Sequence, residues 1–509
     1  MFPSLDEVIK YAEDSQYKRV PVAIEMLSDS LTTIEAVRRI RNASHQCYLL
    51  ESASQSETWG RYSFLGFNPK LEITCQDRTV LIKENLGSDK VLVEERNVSH
   101  PGEVLREIIA KYKTPTVPGL PTFTGGLVGY FSYDYIKYSE PKLKLENHGE
   151  DDFKDMDLML FDDVIAFDNF KQKIYLITGI DLNDVESFYG SVDTKFETLC
   201  DKYAQAEAHL QEIKAILIKG EPKAFEPLSL KSEITPKFTN EEYGNMVEKA
   251  RHYIKEGDIF QVVLSNPMSA KATGSLFDTY RLLRASNQSP YMFYFSSDDI
   301  EIAGASPETL VKVAQKKVST FPLAGTRPRG KDEAEDKALE TELLADEKEL
   351  AEHNMLVDLG RNDIGKISTI GTVTVEKYMG IERFSHVMHI GSTVVGELAE
   401  DKDVIDAVDA ILPAGTLSGA PKFRACEIIE ELEQSKRGIY GGALGYIDFT
   451  GNLDVCIAIR LVYKKNDTIC IRSGAGIVYD SVPEKEAVEC INKAKAVVNA
   501  VKQAEGGLE

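Results

Sequence analysis

The residue types able to handle a small anion gather in the second half of the chain, around four glycine-rich segments. These are 321–330 (FPLAGTRPRG), 412–422 (LPAGTLSGAPK), 440–446 (YGGALGY) and 472–478 (RSGAGIV). Ser418 to Pro421 reads as the start of a helix with Pro421 in its first turn, ahead of an apolar stripe of Ala425, Ile428, Ile429 and Leu432. Backbone N–H groups exposed there, with the hydroxyls of Thr416 and Ser418, suit a carboxylate. Arg460 lies within the apolar run 457–462, which reads as a strand. A guanidinium in that setting takes either a bidentate ligand carboxylate or an internal ion-pair partner. Glu352 falls on a helix predicted over 345–359, beside Met355 and Leu356, and Glu489 on one over 483–501, beside Ala487, Cys490 and Ile491. Singly, each reads as a helix-face carboxylate in water. Together, two carboxylates from separate helices, with water in the remaining positions, describe a Mg²⁺ site.

Several other constellations fall short. Gly325–Lys331 and Gly360–Lys366 have the spacing of a phosphate-binding loop, but Asp332 and Ile367 stand where Ser or Thr must ligate the nucleotide's magnesium. His386 and His389 lie in a β-branched context predicted to be a strand, where an odd spacing sends the two rings to opposite faces and denies them a shared metal. Neither a Gly-x-Ser-x-Gly elbow nor a Gly-x-Cys-x-Gly thiol segment occurs, which argues against covalent acyl chemistry and a built-in glutaminase. The seven cysteines include no CxxC pair and mostly sit in apolar runs, so they read as small core residues.

The elements that must hold these residues are those of a large globular chain. Its 509 residues carry 59 basic and 82 acidic side chains, a net charge of −23. That balance disfavours non-specific nucleic-acid or anionic-membrane binding, and it obliges an anionic substrate to find a local cation. No apolar run is long enough to span a bilayer, and the acidic start is neither a signal nor a transit peptide, so the expected location is the cytoplasm. Residues 1–220 read mostly as strands followed by a long helix over 183–219. Residues 221–237, with three prolines, read as a linker, and 238–509 as a mixed helix–strand domain. Helices and strands do not alternate regularly, which points to large antiparallel sheets covered by helices, an α+β fold. GGLVGY at 125–130 echoes GGALGY at 441–446, and glycines within such strand patterns signal close backbone approach.

Taken in order, the motifs resemble the anthranilate synthase component I family of chorismate-utilising enzymes. The resemblance spans about 20 to 500 and rests on LLES at 49–52, GRYSFLG at 60–66, QSPYMF at 288–293 and GASPE at 304–308. It continues through PLAGTRPRG, EHNMLVDLGRND from Glu352, HVMH, AGTLSGAPK, YGGALGY and GAGIV. It implies two interlaced α+β domains built on a large antiparallel β-sandwich flanked by helices. It also implies a reaction in which ammonia adds at C2 of chorismate as the C4 hydroxyl leaves, after which pyruvate is eliminated to give anthranilate, the first step of tryptophan biosynthesis.

Residue by residue, the resemblance places Glu308 as the acid assisting hydroxyl departure, His389 as a group assisting pyruvate elimination and Thr416 in the same pocket. Gly325, Thr326, Tyr440, Arg460 and the backbone of Gly474, Ala475 and Gly476 match substrate-binding positions, and Glu352 and Glu489 the Mg²⁺ ligands. It further implies feedback inhibition by L-tryptophan, bound by the N-terminal domain with help from the second half. Glu51, Ser52, Arg61, Pro290, Tyr291, Met292, Leu444, Gly445 and Tyr446 are the matching positions, with Met292 offering an apolar slot for the indole and Glu51 an acceptor for the ammonium. Where the family usually has proline, this chain has Gln288. The implied partner is a glutamine amidotransferase subunit (component II) that supplies ammonia, in a heterotetramer.

Two positions separate the relatives. Aminodeoxychorismate synthases carry a nucleophilic lysine at the place of Ala324, and isochorismate and salicylate synthases a water-activating lysine at the place of Gln261. Both residues here point to direct attack by ammonia. The alternatives are an aminodeoxychorismate synthase component that manages without lysine, and a catalytically silent tryptophan-binding scaffold. A chain relieved of catalysis has no reason to retain Glu308, Glu352, His389, Arg460 and Glu489 together.

Overall fold

Strand after strand is apolar on both faces, and that dictates the architecture. In Met156–Phe161, Met156, Leu158 and Leu160 belong to one buried cluster while Met159 and Phe161 belong to another. A strand buried on both sides must lie inside a layered structure rather than on its surface. The computed structural model describes residues 1–53, 60–86, 88, 90–145, 153–183, 192–383 and 387–508. Among these, two antiparallel sheets of 13 and 12 strands pack face to face. Aromatic side chains fill the layer between them: Tyr48 of the larger sheet meets Phe161 of the smaller at 4.7 Å between ring centres. Helices cover both outer faces. Leu5–Ala12, Thr33–Ile40, Val192–Lys219, Phe277–Ser286 and Pro483–Ala504 pack on the larger sheet, and Gly102–Lys111, Glu347–Gly365 and Val404–Ile411 on the smaller. The fold is α+β, as expected.

Neither sheet belongs to one half of the chain. In the larger sheet the two halves meet where Cys47–Glu51 pairs with Tyr291–Ser296, and in the smaller where Gly126–Phe131 pairs with Ala443–Asp448. Two short strands of the proline-rich 221–237 segment, Ser229–Leu230 and Thr235–Pro236, pair with Gln261–Thr273. The long helix starts at Val192 in the described structure, since 184–191 lie outside it, and ends at Lys219. The helix predicted over 345–359 is Glu347–Gly365, starting two residues later and running six further, with a separate helix, Glu333–Ala345, directly before it. Asp346 ends Glu333–Ala345 and caps Glu347–Gly365, its carboxylate accepting from the backbone N–H groups of Lys348 and Glu349. A β-region cap residue with a short acceptor side chain ends one helix more readily than it continues it.

The repeated glycine segments become neighbouring strands. Gly129 lies directly opposite Gly445 in the smaller sheet. A methyl group on Gly129 would meet the Asp157 carbonyl at 2.0 Å, and one on Gly445 the Asp454 carbonyl at 2.1 Å. Backbone on both sides of these strands leaves no room for a side chain. Gly129→Ala is therefore expected to destabilise the protein by about 1–3 kcal/mol or more in chemical denaturation. Gly365→Ala, at a helical glycine with no neighbour within 4 Å, is expected to stabilise by roughly 0.5–1 kcal/mol.

Candidate active site

Among the places where the chain crosses from one sheet to the other, two carry a charge at the wall of a cavity. Ile300–Ser306 of the larger sheet runs through Pro307 and Glu308 into Thr309–Ala314 of the smaller. Leu453–Ile457 of the smaller sheet runs through 458–460 into Leu461–Lys465 of the larger. The crossings lie side by side. Ile457 N–H donates to the Glu308 carbonyl (2.9 Å), Ser306 Oγ to the Ile457 carbonyl (2.7 Å), and Ala305 N–H to the Arg460 carbonyl (3.2 Å). Arg460 is thus not inside a continuous strand as the apolar run suggested. The strand breaks after Ile457, and Arg460 adopts φ +51° before pairing resumes.

Beside the crossings lies a cavity of about 570 Å³, within the range of small-molecule sites. Glu308, His389, Thr416, Gly325, Thr326, Tyr440, Arg460, Gly474, Gly476, Glu352 and Glu489 all line it. Gly474 and Gly476 do so from the strand Thr468–Ile477, while the Ala475 side chain points into the core beneath them. Ala324 and Gln261 line it too, so no lysine amine stands at either position. Gln261 is 4 % exposed, and its Oε1 has no hydrogen-bond partner among the described residues.

Burial pushes the Glu308 carboxyl up to about 7, against a hydrogen bond from Thr416 Oγ1 to its Oε1 (3.2 Å) and the charge of Arg460, both of which lower it. Arg460 has no ion pair among the described residues, and burial lowers its pKa while Glu308 raises it. Of the two partners left open by the sequence, the structure supplies no internal salt bridge, so the guanidinium faces a cavity able to take a carboxylate. His389 sits on Val387–Glu397, and its Nδ1 lies 2.9 Å from the Gly325 carbonyl and 3.1 Å from Thr326 Oγ1. A carbonyl can only accept, so Nδ1 carries the proton. Burial, chiefly, lowers the pKa of the ring and keeps it neutral. His386 lies outside the described residues.

Glu352 and Glu489 reach the cavity from Glu347–Gly365 and Pro483–Ala504, with Glu349, Glu486, Lys348 and Lys493 around them. Burial first, then the charge of Glu349, raises the Glu352 carboxyl, and Glu489 adds to the effect. Glu489 pairs with Lys493 at 2.8 Å. This acidic, oxygen-only donor set facing a cavity fits a hard divalent cation. A tighter group, Glu72, Asp157 and Asp299, lies elsewhere between the sheets. Its centre is already taken by the Lys154 ammonium, 3.9, 3.6 and 3.2 Å from the three carboxylates, with Lys83 and Lys465 close by. It needs no metal.

A second cavity, of about 360 Å³, lies in the layer between the sheets where the two halves of the chain join. Glu51, Ser52, Arg61, Pro290, Tyr291, Met292, Leu444, Gly445 and Tyr446 all line it. Two of these charges are already engaged. The Glu51 carboxylate accepts from Thr33 (2.8 Å), Tyr280 (2.5 Å) and Arg284 (2.8 Å), and Arg61 forks onto Asp168 at 3.1 and 2.7 Å. Asp454 and Lys312, unnoticed in the sequence, line the cavity as an ion pair at 3.0 Å. Tyr291 Oη hydrogen-bonds both Asp454 (2.8 Å) and Thr309 (2.9 Å), the residue after Glu308.

Sequence reasoning also missed a buried triad beneath the first cavity, in which Glu433 bridges Arg437 and Arg472. Glu433 and Arg437 sit in a run, ELEQSKRG, that reads as a solvated face. Arg472, an arginine in an apolar strand, carried the same signal as Arg460.

Residues 45–499 match the family described as chorismate binding enzymes. The anthranilate synthase component 1 of Acetivibrio thermocellus is 44 % identical over 505 residues, 99 % of both chains, and that of Pseudomonas aeruginosa 43 % identical over 505 residues, again 99 % of both. The crystal structure of anthranilate synthase component I from Streptococcus pneumoniae superposes with a TM-score of 0.69 at 39 % identity, covering 86 % of this chain and 92 % of that one. A menaquinone-specific isochorismate synthase from Escherichia coli, at 18 % identity and a TM-score of 0.67 over 98 % of both chains, shares the fold. Likeness over nearly the whole length, with Ala324 and Gln261 both on the cavity wall, means that the chain belongs to the chorismate-binding enzyme family, among the anthranilate synthase component 1 proteins.

Proposed function

We propose that the chain is the large subunit of an anthranilate synthase, aminating chorismate with ammonia and eliminating pyruvate to form anthranilate for tryptophan biosynthesis. The observation that carries this reading is a carboxyl raised to about 7 on the wall of a cavity that also bears, close by, a guanidinium with no ion pair among the described residues. Glu308, protonated near neutrality, hands its proton to the departing C4 hydroxyl as ammonia bonds to C2. Arg460 holds a substrate carboxylate, and its charge lets an anion enter a protein of net charge −23. Tyr440 and the backbone of Gly474 and Gly476 form the floor against which the ring lies. His389, fixed with its proton on Nδ1, presents Nε2 as the basic nitrogen for the elimination of pyruvate. Glu352 and Glu489 are the groups that would hold Mg²⁺, which when bound supplies Lewis acidity and a fixed seat for the ring carboxylate.

The same reading makes the second cavity the seat of feedback inhibition by L-tryptophan. An indole would meet the apolar side chains of Leu50, Met292, Phe293 and Leu444 there, and Ser52 lines the same cavity where the amino-acid end would lie. Coupling to catalysis is supported by the Tyr291–Thr309 hydrogen bond, one residue from Glu308. Ammonia from a glutamine amidotransferase subunit, a heterotetrameric assembly and a cytoplasmic setting rest on the family alone.

The deciding experiment is fluorescence-detected anthranilate formation from chorismate, Mg²⁺ and ammonium by the purified chain, with and without L-tryptophan. Anthranilate that forms with ammonium, not with glutamine alone, supports the reading, whereas 4-amino-4-deoxychorismate as sole product would sink it. Glu308→Gln is expected to lower kcat by about 10²–10⁴ with little change in KM. Because a raised carboxyl holds its proton below about 7 and loses it above, wild-type turnover at constant free NH₃ should fall as pH rises through about 7. Glu352→Gln and Glu489→Gln should each raise the Mg²⁺ concentration needed for half-maximal rate and cripple turnover, and wild-type kinetics at low Mg²⁺ in both would remove them as ligands. Ser52→Ala should relieve tryptophan inhibition while keeping ammonia-dependent activity, so an unchanged inhibition curve would count against the second site.

A further inference from the structure

The buried triad beneath the catalytic cavity has no role in binding or proton transfer, yet it is placed where the general acid is held. Glu433 and Arg437 are each only 1 % exposed, and Arg437 forks onto Glu433 at 3.0 and 2.6 Å. The guanidinium also spans two pieces of backbone: Nη1 donates to the Leu417 carbonyl (2.6 Å) and Nη2 to the Val263 carbonyl (2.7 Å). Leu417 closes the short turn Gly415–Leu417, whose middle residue is Thr416, the hydrogen-bond donor to Glu308. Val263 belongs to the strand that floors the cavity. The same two oxygens of Glu433 accept further bonds, Oε1 from the backbone N–H and Oγ of Ser265 (2.7 and 2.9 Å) and Oε2 from Arg472 (2.6 Å).

Ion groups this deep lose more hydration than their mutual attraction returns unless every donor is used, and apolar residues commonly serve stability equally well. What an apolar residue cannot do is tie the Thr416 turn to the floor strand with directed hydrogen bonds. Lysine cannot do it either, because one ammonium cannot fork onto a carboxylate and reach two carbonyls in a plane. We infer that Arg437 is a positioning residue for the amination step, holding Thr416 against Glu308 through the Leu417 carbonyl so that the acid's proton is aimed at the leaving hydroxyl. This rests on the reading of Glu308 as the general acid. A group acting this way changes the chemistry and not substrate affinity, and it leaves a mark in the titration of the acid it positions.

The test compares Arg437→Lys, Thr416→Val, their double variant and Glu308→Gln in ammonia-dependent turnover of chorismate, with folding followed by circular dichroism. Arg437→Lys is expected to lower kcat about 10- to 100-fold with KM for chorismate within about twofold. Its alkaline limb should move upward, because the Thr416 hydrogen bond that lowers the Glu308 pKa is loosened. Thr416→Val should show the same two effects, and the double variant no further loss, as expected of residues acting in one chain of contacts. If Arg437→Lys does not fold, Glu433→Gln, which keeps the shape but loosens the fork, takes its place with the same expected pattern. A wild-type kcat and pH profile, a loss confined to KM, or additive losses in the double variant would overturn the inference. Wild-type turnover in Glu308→Gln would instead remove the general acid itself.

Discussion

Two strand crossings, hydrogen-bonded to each other, hold the site together. Because a chain leaving one sheet for the other must pass the open layer between them, Pro307–Glu308 and 458–460 are bound to lie at the rim of the sandwich. Bonding these segments through Ser306, Ile457 and Ala305 satisfies backbone groups that would otherwise be stranded, and it fixes Glu308 and Arg460 near each other without an ion pair. The carboxyl is raised because burial outweighs the attraction of that nearby cation. An ion pair at contact distance would have reversed the balance, leaving an acid already ionised and a guanidinium already spent.

The same geometry explains how a strongly acidic protein receives an anion. Across the cavity, the cations Arg460, Lys348 and Lys493 stand among the carboxylates Glu349, Glu352, Glu486 and Glu489. Lys493 is engaged by Glu489, Arg472 by Glu433, and Lys348 is exposed to solvent, which leaves Arg460 as a partly buried cation on the wall with no ion pair among the described residues. The dense carboxylate side of the cavity repels anions unless a cation is added, which is the electrostatic logic of a metal-dependent site.

The second cavity owes its place to the way the halves are joined. Each sheet is continued from the first half of the chain to the second by a single strand pair, Cys47–Glu51 with Tyr291–Ser296 and Gly126–Phe131 with Ala443–Asp448. The cavity opens between those two seams. One seam strand pairs in turn with Ile300–Ser306, which leads directly to Glu308. A molecule lodged there touches both seams, and Tyr291 carries a hydrogen bond from the cavity to the residue beside the acid.

Much of this was legible in the residues. Apolar strands without regular helical alternation marked a helix-covered antiparallel fold, and the paired GG-x-x-GY segments marked close backbone approach, because both signals are local in period and residue type. Nearly every site residue that the ordered motifs singled out lines one of the two cavities. Where local pattern misled, a long-range contact was the cause. Arg460 looked like a strand residue because the apolar run is unbroken, whereas its backbone turns to change sheets. Glu51 looked available to a ligand, but Thr33, Tyr280 and Arg284 reach it from two covering helices. Glu433 and Arg437 stand in the charged run ELEQSKRG and carry no local signal, because their burial comes from packing against Gln261–Thr273. Sequence determined which groups exist and on which elements they ride, since those depend on neighbours a few residues away. The tertiary structure alone decided which charges are left without partners, because that depends on residues more than a hundred positions apart arriving at the same place.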